Sequence, residues 1–345
     1  MSALRSTLER LLERQHLSES EADDLLCALM QTDTQPALAG AVLAALRAKG
    51  IMAQEVRGFA RAMRRLARRP QLPRELRALD VVGTGGDASG SLNISTGTAL
   101  LTAACGIPVV KHGNRSVSSR AGSADVLEAL GVRIPFDEHT APACLAASNF
   151  TFLFAPYFHP SMKLLAPVRA ALGVRTIFNI LGPLTNPAEP PLYLIGAYST
   201  EVARLLAETL AGMNIERAFV VHGAGGWDEP TPVGPFSVFD VHPGRVDIQV
   251  RSPEDYGLST CTAAGLAGGD AHHNARALRA VLAGEERGPY RDCLLLGAAL
   301  ALEVAQDARS RREAIEHAAA TIDGGAALRV LDAVTSFSAS ASAVP

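Results

Sequence analysis

The chain has 345 residues, 48% of them hydrophobic, which is enough to fill a large core in one domain or two. Its formal net charge of −3 leaves no basic field for nucleic acid. The apolar stretches are shorter than the ~20 residues that a membrane span needs. The sequence therefore predicts neither a nucleic-acid partner nor a membrane partner.

The cysteines and the first 30 residues indicate a compartment. Five cysteines are odd in number, widely spaced and mostly in apolar settings, which favours reduced thiols over disulfides or a zinc site. The first 30 residues are amphipathic rather than signal-like. Together these features predict a cytoplasmic protein.

Residues 1–72 are predicted to form a small all-helical domain. Ser18 and Glu21 have the spacing of a capping box at the start of a second helix. The basic run RAMRRLARRP at 61–70 lies in a helical pattern and is predicted to be a solvated face. Two prolines in RPQLPREL then mark the crossing into a second domain.

Residues 73–335 are predicted to form a larger α/β domain. The short apolar runs LDVVG, IPVVKHG, FTFLFAP, LYLIGAYS and RAFVVHG are typical of strands, and helical patterns separate them. This alternation predicts a mainly parallel sheet covered on both faces. SVFDVHPGRVDIQV predicts an appended antiparallel hairpin. Helices from about 160–185 are expected to pack on the helical domain, and 336–345 to be a disordered tail.

The stretch DVVGTGGDASGSLNIST places glycines at the carboxyl end of the first predicted strand. Open α/β sheets bind ligands there, and Gly83, Gly85 and Gly86 allow backbone amides to approach phosphate oxygens. The following helix, predicted to begin near Ser95 and Thr96, points its positive end at the same place.

Three interpretations of this loop compete. A Walker loop is excluded because no Gly-Lys-Ser/Thr follows the glycines. A dinucleotide fingerprint would need an acidic residue at the end of the next strand, where Lys111 stands instead. A purely structural turn is the remaining alternative, but the crowding of Asp87, Asn93 and hydroxyl side chains favours phosphate binding.

The second predicted strand runs into KHGNRSVSS, residues 111–119. Lys111 supplies a charge, Gly113 a flexible backbone and three serines their hydroxyls, an inventory suited to a phosphate ester. Ser123 opens the next helix and adds another N-terminus. Two such loops on one sheet edge favour an anion site over a polar surface loop.

An acidic pair, Asp228 and Glu229, follows the fifth predicted strand. Such a pair is often a solvated turn, but beside two phosphate loops it predicts Mg²⁺ ligands. His222, His272 and His273 lack zinc spacing and are interpreted as loop or packing residues.

These motifs in this order resemble anthranilate phosphoribosyltransferase of tryptophan biosynthesis, a family with a small helical domain and a larger α/β domain. The residues that carry the resemblance are DVVGTGGD, NIST, KHGNRSVSS, GSADVLEALG, HPSMKLLAPVRAALGVRTIFNILGPLTNPA and HGAGGWDE. The resemblance implies transfer of a phosphoribosyl group from 5-phosphoribosyl 1-pyrophosphate (PRPP) to anthranilate, the second step from chorismate. It also implies two Mg²⁺ per subunit and a homodimer formed through the helical domain.

The resemblance also assigns roles to residues at matching positions. Residues expected to bind PRPP are Gly83, Gly86, Asp87, Ser91, Asn93, Ile94, Ser95, Thr96, Lys111, His112, Gly113, Asn114, Arg115, Ser116, Val117, Ser118, Ser119 and Ser123. Residues expected to bind anthranilate are Gly83, Asn114 and Arg169. One Mg²⁺ is expected on Ser95 and Glu229, and the other on Asp228 and Glu229. His112 is the nearest candidate base, although a neutral aromatic amine needs no strong one.

Four residues depart from the family pattern, and two other functions stay open. Gly297 stands where the family has Asn, Trp227 replaces an aliphatic residue, Ser91 replaces a Thr, and Phe236 replaces a Thr.

A pyrimidine nucleoside phosphorylase has a similar fold and glycine loop, but KHGNR differs from its pattern. A non-catalytic, nucleic-acid-binding relative fits poorly with the acidic balance and the Asp228–Glu229 pair.

Overall fold

The strands of the second domain form one sheet in the computed structural model, which describes residues 3–73, 75–116, 120–308 and 310–341. The strands are β1 (Leu79–Gly83), β2 (Val109–Gly113), β3 (Phe150–Phe154), β4 (Leu192–Gly196), β5 (Arg217–His222), β6 (Phe236–His242) and β7 (Arg245–Arg251). Their order is β3-β2-β1-β4-β5-β6-β7. β1 to β5 pair in parallel, while β6 and β7 are antiparallel. The predicted parallel sheet and the predicted hairpin are both confirmed.

Helices precede the sheet and cover it. The first domain contains α1 (Ala3–Leu12), α2 (Glu19–Leu29), α3 (Pro36–Lys49) and α4 (Ala53–Leu66). The remaining helices are α5 (Ile94–Ala104), α6 (Ser123–Ala129), α7 (Thr140–Ser148), α8 (Ala155–Phe158), α9 (Ala166–Leu172), α10 (Phe178–Leu181), α11 (Thr200–Ala211), α12 (Ala271–Leu282), α13 (Pro289–Ala305), α14 (Arg311–Asp323) and α15 (Ala326–Ser340). None of the described helices is long and apolar enough to cross a bilayer.

The sheet separates two hydrophobic cores. Because successive strand residues point to opposite faces, Leu192 and Leu194 of β4 join one core while Tyr193 and Ile195 join the other. The first core contains α5, α13, α14 and α15. The second unites α1–α4 with α11. One face of the sheet thus shares its core with the helical domain.

The segment around α9 and α10 belongs to this second core. Leu165 and Val168 are buried in it, and the ring of Phe178 lies edge-on to that of Phe59 in α4, with centroids 6.1 Å apart. The segment therefore connects the helical domain to the carboxyl edge of the sheet.

The predicted disordered tail at 336–345 is wrong for its first part, because α15 continues to Ser340. Leu331, Val334 and Ser338 are buried at helical spacing, and the Phe337 ring packs on Phe136 with centroids 6.0 Å apart. The Ser338 hydroxyl accepts the backbone N–H of Arg133 at 3.0 Å. Ala327, Leu331, Val334 and Ser338 therefore form the packing face of this helix. Residues 342–345 lie outside the described part of the chain.

The basic run at 61–70 is not solvated throughout. Arg64 is only 7% exposed, and its guanidinium donates to the carbonyl oxygen of Leu184 at 2.8 Å and to the hydroxyl of Tyr193 at 3.1 Å. Arg64 therefore joins α4 to β4 and to the segment after α10.

The predicted capping box of Ser18 and Glu21 is confirmed by reciprocal hydrogen bonds.

We expect Arg64→Ala to destabilise the protein by about 2–4 kcal/mol, because it leaves buried acceptors without a donor. The matched control is Arg47→Ala on the exposed face of α3, which should change stability by less than about 0.5 kcal/mol. Urea denaturation followed by circular dichroism measures both. Equal effects of the two substitutions would contradict a joining role for Arg64.

Candidate active site

The centre of the site is the carboxyl edge of the sheet between β1 and β4, where the strand order reverses. Ligands of open α/β sheets bind at such a point. Gly83 ends β1 and pairs in register with Gly196, which ends β4. A Cβ on Gly196 would overlap the carbonyl oxygen of Asp228, and one on Gly83 would lie 2.5 Å from Asp228 Oδ2. The two glycines thus admit the Asp228 loop into the crevice.

Asp228 is tied to the glycine loop at two points. Its Oδ2 accepts the backbone N–H of Gly85 at 2.5 Å, and its own backbone N–H donates to Asp87 Oδ2 at 3.3 Å. Gly85 and Gly86 have φ of 70° and 75°, which glycine adopts without steric penalty. The GTGGD loop and the acidic loop therefore form one unit.

Glu229 and Lys111 meet at the N-terminus of α5. Glu229 Oε1 accepts the backbone N–H of Ser95 at 3.1 Å. Lys111 is 1% exposed, and its ammonium donates to Ser95 Oγ at 3.2 Å and to the carbonyl oxygen of Val81 at 2.5 Å. The positive end of the dipole of this 11-residue helix adds positive potential at the same place.

The acidic side chains are held in an unfavourable electrostatic state. Burial, together with the neighbouring Asp87, raises the pKa of Asp228 to about 7. Burial, and then Asp228, raises the pKa of Glu229 well above its usual value. Burial lowers the pKa of Lys111, against the pull of the nearby carboxylates. A bound cation would relieve the repulsion among these carboxylates.

The donor set fits Mg²⁺ as a partial coordination shell. Carboxylate and hydroxyl oxygens are ligands that Mg²⁺ prefers, and it usually keeps waters and substrate phosphates as well. Within the described residues, no group of three or more His, Cys, Asp or Glu could by itself hold a metal ion. Oxygens of water or of a bound phosphate would supply the remaining ligands of such a shell.

The second predicted loop closes against the first turn of α6. The Ser123 hydroxyl donates to the carbonyl oxygen of Asn114 at 3.2 Å, and a Cβ on Gly113 would collide with that hydroxyl. Glycine is therefore required where β2 passes α6. The Asn114 side-chain oxygen accepts the backbone N–H of Arg115 at 2.7 Å, while Asn114 itself stays exposed.

Arg115 and Ser116 are held by acidic residues of α6. The Arg115 guanidinium forms ion pairs with Glu128 and Asp125, and the backbone N–H of Ser116 donates to Asp125 Oδ2 at 3.0 Å. The Arg115 side chain is thus already paired within the protein. The predicted ligands Val117, Ser118 and Ser119 lie outside the described residues.

The NIST segment is held in place by hydrogen bonds and by burial. The Asn93 side chain donates to the carbonyl oxygen of Ala121 at 3.1 Å and accepts from Asn274 Nδ2 at 2.8 Å. Ile94 and Thr96 are buried, and the backbone N–H of Ile94 donates to the carbonyl oxygen of Leu92 at 2.8 Å. Ser91, which precedes the segment, makes a bridge to Ala267. Asn274, an uncharged polar residue one turn into α12, was not among the predicted site residues.

His112 is buried beside a second histidine. Its ring lies edge-on to that of His159 at 5.2 Å, and Nδ1 is 3.2 Å from the carbonyl oxygen of Gly182. Its Nε2 has no hydrogen-bond partner within the described residues. Burial, aided by the neighbouring His159, lowers the pKa of His112 to about 3. The imidazole is therefore neutral. When Nδ1 carries the proton and donates to the carbonyl oxygen of Gly182, Nε2 is left as an acceptor.

Asp80 supports this arrangement and was missed. It is fully buried in β1, where it accepts the backbone N–H of His112 at 3.2 Å and the amide of Asn186 at 2.8 Å. Burial raises the pKa of Asp80 to about 6. A lone acid inside the apolar run LDVVG was the available signal.

Arg169 stands apart from the phosphate loops. Its guanidinium carbon lies 5.2 Å from the centroid of the Phe178 ring, and burial lowers its pKa. In the described part of the chain it has no carboxylate partner, and no hydrogen bond joins it to Gly83 or Asn114. A half-buried, unpaired guanidinium can receive a carboxylate ligand.

Two departures from the family pattern help to pack the site. Gly297 in α13 faces α5, where a Cβ would collide with the side chain of Thr98. Because Gly297 has no side chain, α5 and α13 can approach each other closely. Trp227, next to the acidic pair, is 7% exposed and belongs to the first core. Trp227 therefore anchors the acidic loop by burial.

Comparisons with known proteins agree with this architecture. Residues 75–328 match the "Glycosyl transferase family, a/b domain", and residues 5–67 match the "Glycosyl transferase family, helical bundle domain". The fold and the site thus define a glycosyl transferase with a helical-bundle domain and an α/β domain.

Particular relatives narrow this class. The anthranilate phosphoribosyltransferase of Rubrobacter xylanophilus is 47% identical over 95% of this chain and 96% of its own. The crystal structure of that enzyme from Thermus thermophilus matches with a TM-score of 0.91 and 40% identity, covering 97% of this chain and 99% of its own. The Saccharomyces cerevisiae enzyme in complex with PRPP and Mg matches with a TM-score of 0.91 and 28% identity, covering 99% of each chain. The chain belongs to the anthranilate phosphoribosyltransferase family.

The raised pKa of Asp228 predicts a pH-dependent stability of the metal-free protein. The folded state keeps this proton up to a pH of about 7, whereas the unfolded chain loses it at a pH of about 4. The contribution of Asp228 to the free energy of unfolding therefore falls as pH rises from about 4 to about 7. Asp228→Asn should stabilise the protein at pH 8 by about 1–3 kcal/mol, and much less at pH 4.

Denaturant titrations at both pH values, with a chelator present, measure this difference. The control is Asp24→Asn on the exposed face of α2, which should show no pH-dependent gain. A destabilised Asp228→Asn protein at pH 8 would contradict the electrostatic account.

Proposed function

We infer that this protein transfers the 5-phosphoribosyl group of PRPP to the amino group of anthranilate, with pyrophosphate as the second product. The reaction is a step of tryptophan biosynthesis. The observation that carries this inference is the acidic loop seated between Gly83 and Gly196, beside Lys111 and the N-terminus of α5. Side chains suited to a cation and groups suited to an anion lie together at the switch point of the sheet, which supports the proposal.

The phosphate side of the site is formed by three loops. Gly83, Gly86, Asp87 and the start of α5 bind the pyrophosphate and ribose, together with Lys111 and the loop that runs to Ser123. Several of these residues already touch one another. Arg115 contributes through its backbone, because its side chain is paired with Glu128.

Mg²⁺ is the cofactor that fits the acidic loop. Ser95 and Glu229 would hold one ion and Asp228 with Glu229 a second, so two ions bind per subunit. The close approach of Asp87 to Asp228 supports a site for more than one positive charge. When bound, Mg²⁺ neutralises charge on the departing pyrophosphate.

The chain's own residues assist the same bond cleavage. Loss of pyrophosphate from C1 leaves an oxocarbenium-like ribose, so stabilising the leaving group is the main task. Lys111 supplies a fixed buried charge, and the amides of α5 supply aligned dipoles. These groups are in place before the reaction, so little reorganisation accompanies it.

Anthranilate binds on the side of α9. The guanidinium of Arg169 forms two parallel hydrogen bonds with the substrate carboxylate, and Gly83 and Asn114 border the ring. His112 is neutral, and its buried Nε2 has no hydrogen-bond partner within the described residues, so it stays the nearest candidate base. The amine needs no strong base because it is already neutral at pH 7, and catalysis is chiefly positioning.

Two further proposals concern the assembly and its location. The protein forms a homodimer through the helical domain, where Leu12 is 62% exposed on α1. It acts in the cytoplasm, in keeping with its five free cysteines.

Loss of anthranilate fluorescence in the presence of PRPP and Mg²⁺ tests the function. We expect turnover that a chelator abolishes, and Glu229→Gln should lower kcat/KM about a hundredfold or more. Glu285→Gln, an exposed site after α12, is the control and should retain activity. Phosphorolysis of uridine or thymidine without anthranilate turnover would instead establish the nucleoside phosphorylase alternative.

Arg169→Lys and Arg169→Ala should both raise the KM for anthranilate, by about tenfold or more for Ala. Lysine keeps the charge but loses the planar fork, so it should not restore binding. The KM for PRPP should stay within about twofold, and Arg276→Lys on the exposed face of α12 serves as control. Steady-state kinetics with each substrate varied decides the matter. A raised KM for PRPP alone would place Arg169 in the phosphate site.

A further inference from the structure

Arg175 bridges the segment after α9 to the glycine loop. Its Nη2 donates to the carbonyl oxygen of Gly86 at 2.5 Å, and its guanidinium carbon lies 4.1 Å from the centroid of the Tyr198 ring. Neither hydrogen bond nor ion pair joins Arg175 to a carboxylate within the described residues. Both contacts of this guanidinium therefore lie at the edge of the sheet that carries the phosphate loops.

Tyr198 connects the same arginine to the loop by a second route. It follows β4 by two residues, and its backbone N–H donates to the hydroxyl of Thr84 at 3.3 Å. Thr84 in turn donates its backbone N–H to the carbonyl oxygen of Gly196 at 3.0 Å. The ring that supports Arg175 is thus held against the beginning of the glycine loop.

The glycine loop needs such support because its backbone is unusually free. Gly85, Gly86, Ala88 and Gly90 all have positive φ values between 58° and 75°. Ordering glycine costs more conformational entropy than ordering other residues. The acidic loop holds Gly85 and Asp87 from one side. Arg175 holds Gly86 from the side of α9, which shares its core with the helical domain.

We propose that Arg175 is a positioning residue, which fixes the carbonyl group of Gly86 and so keeps the glycine loop in its PRPP-binding conformation. The proposal rests on the proposed function, since it names PRPP as the ligand of that loop. Arg175 stacks on Tyr198 as a plane and donates to Gly86 from the edge of that plane. Only arginine can make both contacts at once.

The test uses the full chain and Mg²⁺–PRPP as the probe, with titration calorimetry and steady-state kinetics. Arg175→Ala should weaken PRPP binding and raise its KM by about tenfold. The KM for anthranilate should stay within about twofold, and the thermal midpoint should be unchanged. Arg175→Lys should recover only part of the affinity. Arg204→Ala is the control, because that exposed arginine of α11 also lies over an aromatic ring, Phe239 at 5.9 Å, away from the site.

Tyr198 variants separate positioning from direct phosphate contact. Tyr198→Phe should leave PRPP affinity unchanged, and Tyr198→Leu should weaken it about threefold. Combining Tyr198→Leu with Arg175→Ala should add no further loss, because both act through one contact. If Arg175→Lys bound PRPP as tightly as the unmodified protein, and Tyr198→Leu did not change PRPP affinity, the proposal would be overturned. Arg175 would then be a direct ligand of the phosphate.

The remaining outcomes are also decisive. A fall in thermal midpoint that accompanies the lost affinity would reduce Arg175 to a structural role. Unchanged PRPP affinity in Arg175→Ala would overturn the proposal and leave the function intact. If the unmodified protein failed to bind Mg²⁺–PRPP at all, the proposed function itself would fail.

Discussion

The arrangement of the site depends on the missing side chains of Gly83 and Gly196. These two residues end neighbouring parallel strands in register, at the point where the strand order reverses. Any Cβ at either position would meet Asp228. Because the crevice is open there, a loop from the next strand can enter it backbone-first. The carboxylates of that loop then reach the glycine loop and the N-terminus of α5.

Burying several carboxyl groups close together costs electrostatic free energy, and a cation-binding function explains why the arrangement is kept. Three carboxyl groups, Asp87, Asp228 and Glu229, converge on a region with one buried ammonium, Lys111. Without a cation the arrangement opposes folding, since the folded state raises the pKa of two of these acids. A site that is strained when empty gains more from Mg²⁺ and a polyphosphate ligand. The acidic residues suited to a cation therefore lower the stability of the metal-free protein.

The helical domain and the segment around α9 and α10 are connected to the site by arginines that cross between elements. Arg64 is buried and connects α4 to β4 and to the segment after α10. Arg175 lies in the segment around α9 and α10, between the two helices, and reaches the glycine loop. The segment also carries Arg169 over Phe178, whose ring contacts α4. Arg169, proposed to bind anthranilate, and Arg175, proposed to position the glycine loop, therefore lie on one segment that packs on the helical domain.

The sequence by itself determined the elements of the sheet, the hairpin, the glycine loop and the acidic pair, because strand periodicity, turn chemistry and loop composition are local properties. It misjudged residues 336–340 and Arg64, since a serine-rich helix and a basic run look solvated until a partner surface is present. Only the tertiary structure decided which residues meet: Asp228 with Gly196, Asn274 with Asn93, Asp80 with His112, and Arg175 with Gly86. The last three of these contacts join positions that are 181, 32 and 89 residues apart in the chain. Chain topology alone brings such positions together, so no local pattern can encode them.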